Sequence, residues 1–284
     1  MSGLSLGLGV GLTRRGGGGG AAAPFSFTAI GTPTFLMDAN RLNGTALTTS
    51  TNSVGDVVTV WGNTLGAGYP YYNQPTATSK PVLTETKPGI WSVNAGVRVG
   101  SSDIDNIKHM KFWLSGSQYS ADLRDTHSFI LIFLEGSAGG SQHLFVGFED
   151  TNINRQVGTS NSGLIRAVGS EMWSNQLSGT TVAANGRWHL FEADLRAASG
   201  ATSTIRLNGV VEDTTTVGQA AASNINVAMM GNISAYESMG GKFQFHATYN
   251  ITPTADGGTG PLSSGDRAAI SDELMARVNA LNAT

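Results

Sequence analysis

The stretch Asn185-Gly186-Arg187-Trp188-His189-Leu190-Phe191-Glu192-Ala193-Asp194-Leu195, followed by Thr204-Ile205-Arg206-Leu207-Asn208-Gly209-Val210-Val211, decides the reading of this chain. Trp188 to Leu195 is rich in aromatic and apolar residues, has no Gly or Pro inside it, and reads as a strand. Thr204 to Val211 reads as a hairpin. Asn and Gly both tolerate positive φ, which a two-residue type I′ turn requires at each central position.

Outward from that hairpin the same texture repeats. Strands are expected at Val57–Trp61, Gly89–Val99, Lys111–Leu114, Phe129–Leu134, His143–Glu149, Gly163–Val168, Ile225–Gly231 and Gly241–Tyr249, with Gly, Asn, Asp and Ser clusters between them. Only 13% of the 284 residues are charged, against about 25% in an average globular chain. Gly, Ser, Thr, Asn and Ala fill the gap, a balance that suits many short strands joined by turns. Near the end the period changes. Ile270, Leu274, Val278 and Leu281 recur at helical spacing behind the cap candidates Ser263 and Ser264, predicting one amphipathic helix over 264–281.

The N-terminal stretch is a separate unit. Leu4, Leu6, Leu8, Val10 and Leu12 alternate with Ser5, Gly7, Gly9 and Gly11, placing five apolar side chains on one face of an extended strand. A strand of that kind cannot bury itself alone, and it suits addition to another protein's sheet edge. The plain alternative is a disordered terminus. Arg14 and Arg15 follow the apolar stretch, the reverse of a secretory leader, and Gly16 to Gly20 reads as a flexible linker. The expected division is an arm over 1–24 and a β-sandwich with its helix over 25–284.

Three stretches, taken in order, resemble the laminin-G-like domains of the concanavalin-A-like lectin and glucanase superfamily, of the kind found in bacteriophage structural proteins. The first holds Leu36-Met37-Asp38-Ala39, Gly55-Asp56-Val57-Val58-Thr59-Val60-Trp61, Asn73-Gln74-Pro75-Thr76 and Lys80-Pro81-Val82-Leu83. The second is the stretch quoted above, with Asn208 where the family usually has Asp. The third is Phe243-Gln244-Phe245-His246-Ala247-Thr248-Tyr249 with Leu262-Ser263 opening the helix, and it lacks the acidic residue usual in that strand. The resemblance implies an all-β fold: a concanavalin-A-like two-sheet jelly-roll sandwich with one C-terminal helix and an extended Gly-rich arm. Fold carries over further than function, because lectins, glycosidases and adhesion modules share this sandwich.

Candidate chemistry is sparse. Glucanases of this fold carry carboxylates in an E-x-D-x-x-E pattern, which alternation points to one face. Glu192-Ala193-Asp194 has the pair without the third carboxylate, and Arg196 follows on the same face. No catalytic residue is therefore assigned. His109, His127, His143, His189 and His246 are scattered without metal-ligand spacing, and His189 reads as structural. Glu149, Asp150 and Asn152 form an oxygen-rich run that suits Ca²⁺, although Asp and Asn are also ordinary turn formers. Tyr69, Tyr71 and Tyr72 form an aromatic cluster that suits contact with a glycan or another subunit, and equally suits packing on the sandwich edge.

The absence of cysteine excludes disulfides and thiol chemistry, and the net charge of −3 gives no electrostatic reason to expect nucleic acid. No stretch reaches the ~20 apolar residues of a membrane span. The expected role is a non-enzymatic virion protein, made in the host cytoplasm and anchored to other virion proteins by Leu4 to Arg15. It is expected to be homo-oligomeric and to present the sandwich to host-surface glycans. A freestanding carbohydrate-binding module is the alternative, and a glycoside hydrolase ranks third.

Overall fold

The computed structural model describes residues 25–39, 47–48, 53–65, 69, 71–73, 81–87, 90–96, 110–114, 117–118, 125–134, 143–150, 153–160, 162–168, 177–183, 185–218, 226–229, 241–253 and 260–283. The arm residues Leu4, Leu6, Leu8, Val10, Leu12, Arg14 and Arg15 lie outside them, as does Asn152.

The described strands form two antiparallel sheets. In the eight-stranded sheet the order is Val210–Thr215, Ser203–Leu207, Arg187–Leu195, Thr126–Leu134, Gly241–Asn250, Ile90–Gly96 and Val82–Lys87. Phe35–Asp38 also pairs with Gly241–Asn250. In the ten-stranded sheet the order is Leu177–Val182, Leu164–Val168, Ile153–Thr159, His143–Asp150, Asn226–Met229, Met110–Leu114, Tyr71–Asn73, Val60–Trp61 and Leu47–Thr48. Ser117–Gln118 pairs with Met110–Leu114. The expected jelly-roll-type sandwich is the observed fold.

Alternation along each strand divides its side chains between two cores. Phe191, Ala193 and Leu195 join Ile130, Ile132, Trp61, Val157 and Ile165 between the sheets. Trp188 and Leu190 face the other way, where Phe129, Leu131, Phe245 and Tyr249 meet the helix. Phe243 and Phe245 lie on opposite faces although two residues apart. A bulge between them inserts Gln244, and one extra residue reverses the parity of a strand.

The helix runs Ser264–Asn282 and buries Ile270, Leu274, Val278 and Leu281, the four positions that its period marks. Ser263 caps it. Its hydroxyl accepts the Asp266 amide at 3.0 Å and donates to the Asp266 carboxylate at 2.7 Å. The turn beside it also matches expectation, with φ of 52° at Asn208 and 80° at Gly209.

One lateral opening of the sandwich is closed by acidic side chains. The Glu212 carboxylate accepts the amides of Thr180 (2.8 Å) and Thr181 (3.0 Å) and the hydroxyls of both. Asp213 accepts the Ser178 amide at 2.8 Å. The edge strand of one sheet thereby occupies the backbone donors of the other sheet's edge, which exposed edges otherwise offer to passing strands.

Candidate functional site

Alternation places Glu192 and Asp194 on the outer face of the eight-stranded sheet, as the E-x-D spacing predicts, and the C-terminal helix covers that face. Glu192 is fully buried. It accepts the Ser271 hydroxyl at 2.7 Å and Arg267 Nη1 at 3.3 Å, both from the helix, and His127 Nε2 lies 3.7 Å away. Burial alone would raise the pKa of this carboxyl. The approach of His127, the Ser271 hydrogen bond and the Arg267 charge outweigh burial and hold it below the ordinary carboxylate range. A carboxyl kept ionised and out of contact with water is poorly placed as a general acid.

Asp194 is engaged as well. Arg196 donates to both its oxygens, at 2.6 and 3.1 Å, and His127 Nδ1 lies 3.6 Å from it. The arginine that follows the pair on the same face is thus the one that occupies its second carboxylate. Two further latches hold the helix. Arg277 donates to Asp38 at 2.9 Å while lying over the rings of Phe27 and Phe245. Asn282 accepts the Trp188 amide at 2.9 Å and donates to the Trp188 carbonyl at 2.8 Å, standing in for a neighbouring strand.

His189 is structural, as the sequence suggests. Asn208 Nδ2 can only donate, so His189 Nδ1 accepts it at 3.0 Å, which leaves Nε2–H to donate to Asn185 Oδ1 at 2.9 Å. Burial lowers the His189 pKa below its ordinary value. His246, in the strand where the family usually has an acid, is completely buried, and burial pushes its pKa down to about 3. Its Nε2 lies 2.8 Å from the Thr248 hydroxyl, which in turn contacts Ser128 at 2.8 Å. This polar chain belongs to the interior.

Tyr69 is exposed and Tyr71 half-buried. The register separates the cluster. Tyr72 lies opposite Trp61, a residue of the inter-sheet core, so Tyr72 holds an inner-face position and Tyr71 an outer-face one. Glu149 and Asp150 end a strand, where they stand opposite Asn154 and Ile153. Among the described residues, no group of three His, Asp or Glu side chains is placed to hold a metal ion. Among the same residues, no helix is long and apolar enough to cross a membrane.

No protein-family model and no curated protein sequence matches the chain. Its fold is similar to solved structures at low identity. The binding domain of botulinum neurotoxin DC, in complex with rat synaptotagmin II, is 12% identical with a TM-score of 0.51, over 87% of this chain and 53% of that one. The botulinum neurotoxin serotype D binding domain is 10% identical with a TM-score of 0.50, over 83% and 52%. The Ruminococcus gnavus IT-sialidase CBM40 bound to α2,6 sialyllactose gives 10% and 0.40, over 53% of this chain and 84% of that one. The chain spans about half the length of the two toxin domains, and the likeness to them is one of fold, a jelly-roll sandwich.

Proposed function

We propose that this chain is a non-catalytic, glycan-binding attachment protein of a bacteriophage particle, held on the virion by its N-terminal arm. The observation that carries the non-catalytic part is the sealing of Glu192. The carboxylate pair with glycosidase-like spacing lies beneath the helix, one member bonded to Ser271 and Arg267 and the other to Arg196. A retaining glycosidase needs two carboxyl groups open to the glycosidic bond from opposite sides. The glycan-binding part is supported at the level of fold, since this sandwich is also the architecture of carbohydrate- and receptor-binding domains.

The arm supports the virion part. Five alternating apolar residues followed by a glycine linker suit strand addition to a particle protein, and many copies would convert weak sugar binding into useful avidity. Cosedimentation with assembled phage particles tests this reading. Full-length protein is expected to pellet with particles, and protein lacking residues 1–20 to stay in the supernatant. Equal behaviour of the two forms overturns virion anchoring and leaves a freestanding carbohydrate-binding module.

A further inference from the structure

Arg206 is the middle residue of Ile205-Arg206-Leu207. Both apolar neighbours belong to the inter-sheet core, so Arg206 holds an outer-face position on the side of the helix. It stands directly opposite Glu192. That carboxylate is already engaged by Ser271 and Arg267, and Asp194 by Arg196. Among the described residues, none of the ion pairs on this face includes Arg206. Its Nη1 is sealed from water and has no hydrogen-bond partner.

The shape of the hairpin explains this. In an unbulged hairpin about Asn208-Gly209, Asp213 would stand opposite Thr204, on the face of Arg206 and one diagonal step from it. A bulge shifts the register between Ile205 and Arg206, so that Asp213 stands opposite Ile205 and Val211 opposite Arg206. Asp213 then accepts the Ser178 amide, and Glu212 the amides of Thr180 and Thr181, all from the other sheet. The acidic residues that close the sandwich edge are thereby withdrawn from Arg206. A second guanidinium borders the same carboxylate, since Arg267 Nη1 lies 3.3 Å from Glu192. Burial, and after it the charge of Arg267, lower the Arg206 pKa below the ordinary guanidinium value, against the pull of Glu192 and Asp194. Both arginines are partly exposed, whereas Glu192 is not.

We infer that Arg206 and Arg267, between the hairpin and the first turns of the helix, form a site for an oxyanion, the carboxylate of an acidic sugar. The inference rests on the glycan-binding reading and names its ligand class. A water molecule satisfies a buried donor but leaves two like charges side by side. An oxyanion answers both, and a carboxylate matches the planar fork of a guanidinium with two parallel hydrogen bonds. A sugar carboxylate and free phosphate share this chemistry, and separate probes distinguish them.

The test titrates the full chain calorimetrically with sialyllactose and trigalacturonate. Lactose and the methyl ester of trigalacturonate serve as uncharged counterparts, and inorganic phosphate as the free anion. At least one acidic sugar is expected to bind about tenfold or more tightly than its uncharged counterpart. Arg206→Met keeps the apolar stem and is expected to abolish that difference, while Arg206→Lys keeps the charge without the fork and should cause a smaller loss. The thermal midpoint of Arg206→Met is expected to stay at or above that of the parent, because the variant removes an unpartnered donor. A midpoint lower by more than about 4 °C means that Arg206 has a partner within the protein, and overturns the site. An acidic preference that survives Arg206→Met, or equal binding of acidic and uncharged sugars, overturns the site and leaves the glycan-binding reading intact. Arg206-dependent binding of phosphate without any acidic sugar overturns the sugar carboxylate, and binding of none of the probes overturns site and reading together.

Discussion

Replacing Glu192 separates a structural carboxylate from a catalytic one. Its two oxygens accept Ser271 and Arg267 from the helix, and none of its surface reaches water. Glu192→Ala leaves a buried hydroxyl and a guanidinium without their acceptor. Removing one member of a buried charge pair costs about 3–5 kcal/mol. Arg267 retains 26% exposure and can turn toward water, so the lower end, about 3 kcal/mol, is expected here. For a chain of this size about 2–4 °C is lost per kcal/mol, which gives a thermal midpoint about 6–12 °C lower. Glu192→Gln keeps an acceptor for Ser271 but gives up the charge and the second acceptor oxygen, costing about 1–2 kcal/mol. Urea unfolding followed by tryptophan emission measures both. A double-mutant cycle with Ser271→Ala should return a coupling of about 0.5–3 kcal/mol. An unchanged urea midpoint for Glu192→Ala refutes the latch. So would glycan hydrolysis that is present in the parent and abolished by Glu192→Gln while folding is intact.

Acid should destabilise the fold early. His246 has a pKa of 6.5 when unfolded and about 3 when folded. The unfolded chain binds more protons between those values, and stability therefore falls as pH drops below about 6.5, by up to about 1.4 kcal/mol per pH unit. His189 acts in the same direction. Urea midpoints measured from pH 7.5 to 4.5 should decline, and a flat profile would contradict the burial of both rings. Glu212→Gln is expected to cost about 1–2 kcal/mol, because an amide cannot accept all four hydrogen bonds that the carboxylate does. Hydrogen exchange at the Thr180 and Thr181 amides should quicken accordingly, and unchanged protection there argues against the edge closure. Gly209→Ala is expected to cost about 1 kcal/mol through its positive φ alone, since an added Cβ meets only Ser271 Oγ at 3.7 Å. A loss well above that in urea unfolding would mean that the hairpin tip has no room against the helix.

The elements legible in sequence are those whose signal is local. The helix declared itself through Ile270, Leu274, Val278 and Leu281, and the hairpin through Asn208-Gly209. Strands with little periodicity did not. Ile153–Thr159 reads Ile-Asn-Arg-Gln-Val-Gly-Thr, and Leu177–Val182 reads Leu-Ser-Gly-Thr-Thr-Val. Both are held in the sheet by their neighbours' pairing, so their own residues need carry little pattern. Val57 was expected to open a strand, but forms only an isolated bridge to Val82. The fate of Glu192 was illegible for a related reason. Its spacing from Asp194 is a property of one strand, whereas Ser271 and Arg267 lie 79 and 75 positions away.

The same contrast separates the tyrosine cluster. Proximity in sequence grouped Tyr71 with Tyr72, yet adjacent positions of a strand lie on opposite faces. Which positions share a face is decided by register, a long-range quantity that pairs Tyr72 with the core residue Trp61 and leaves Tyr71 on the other side.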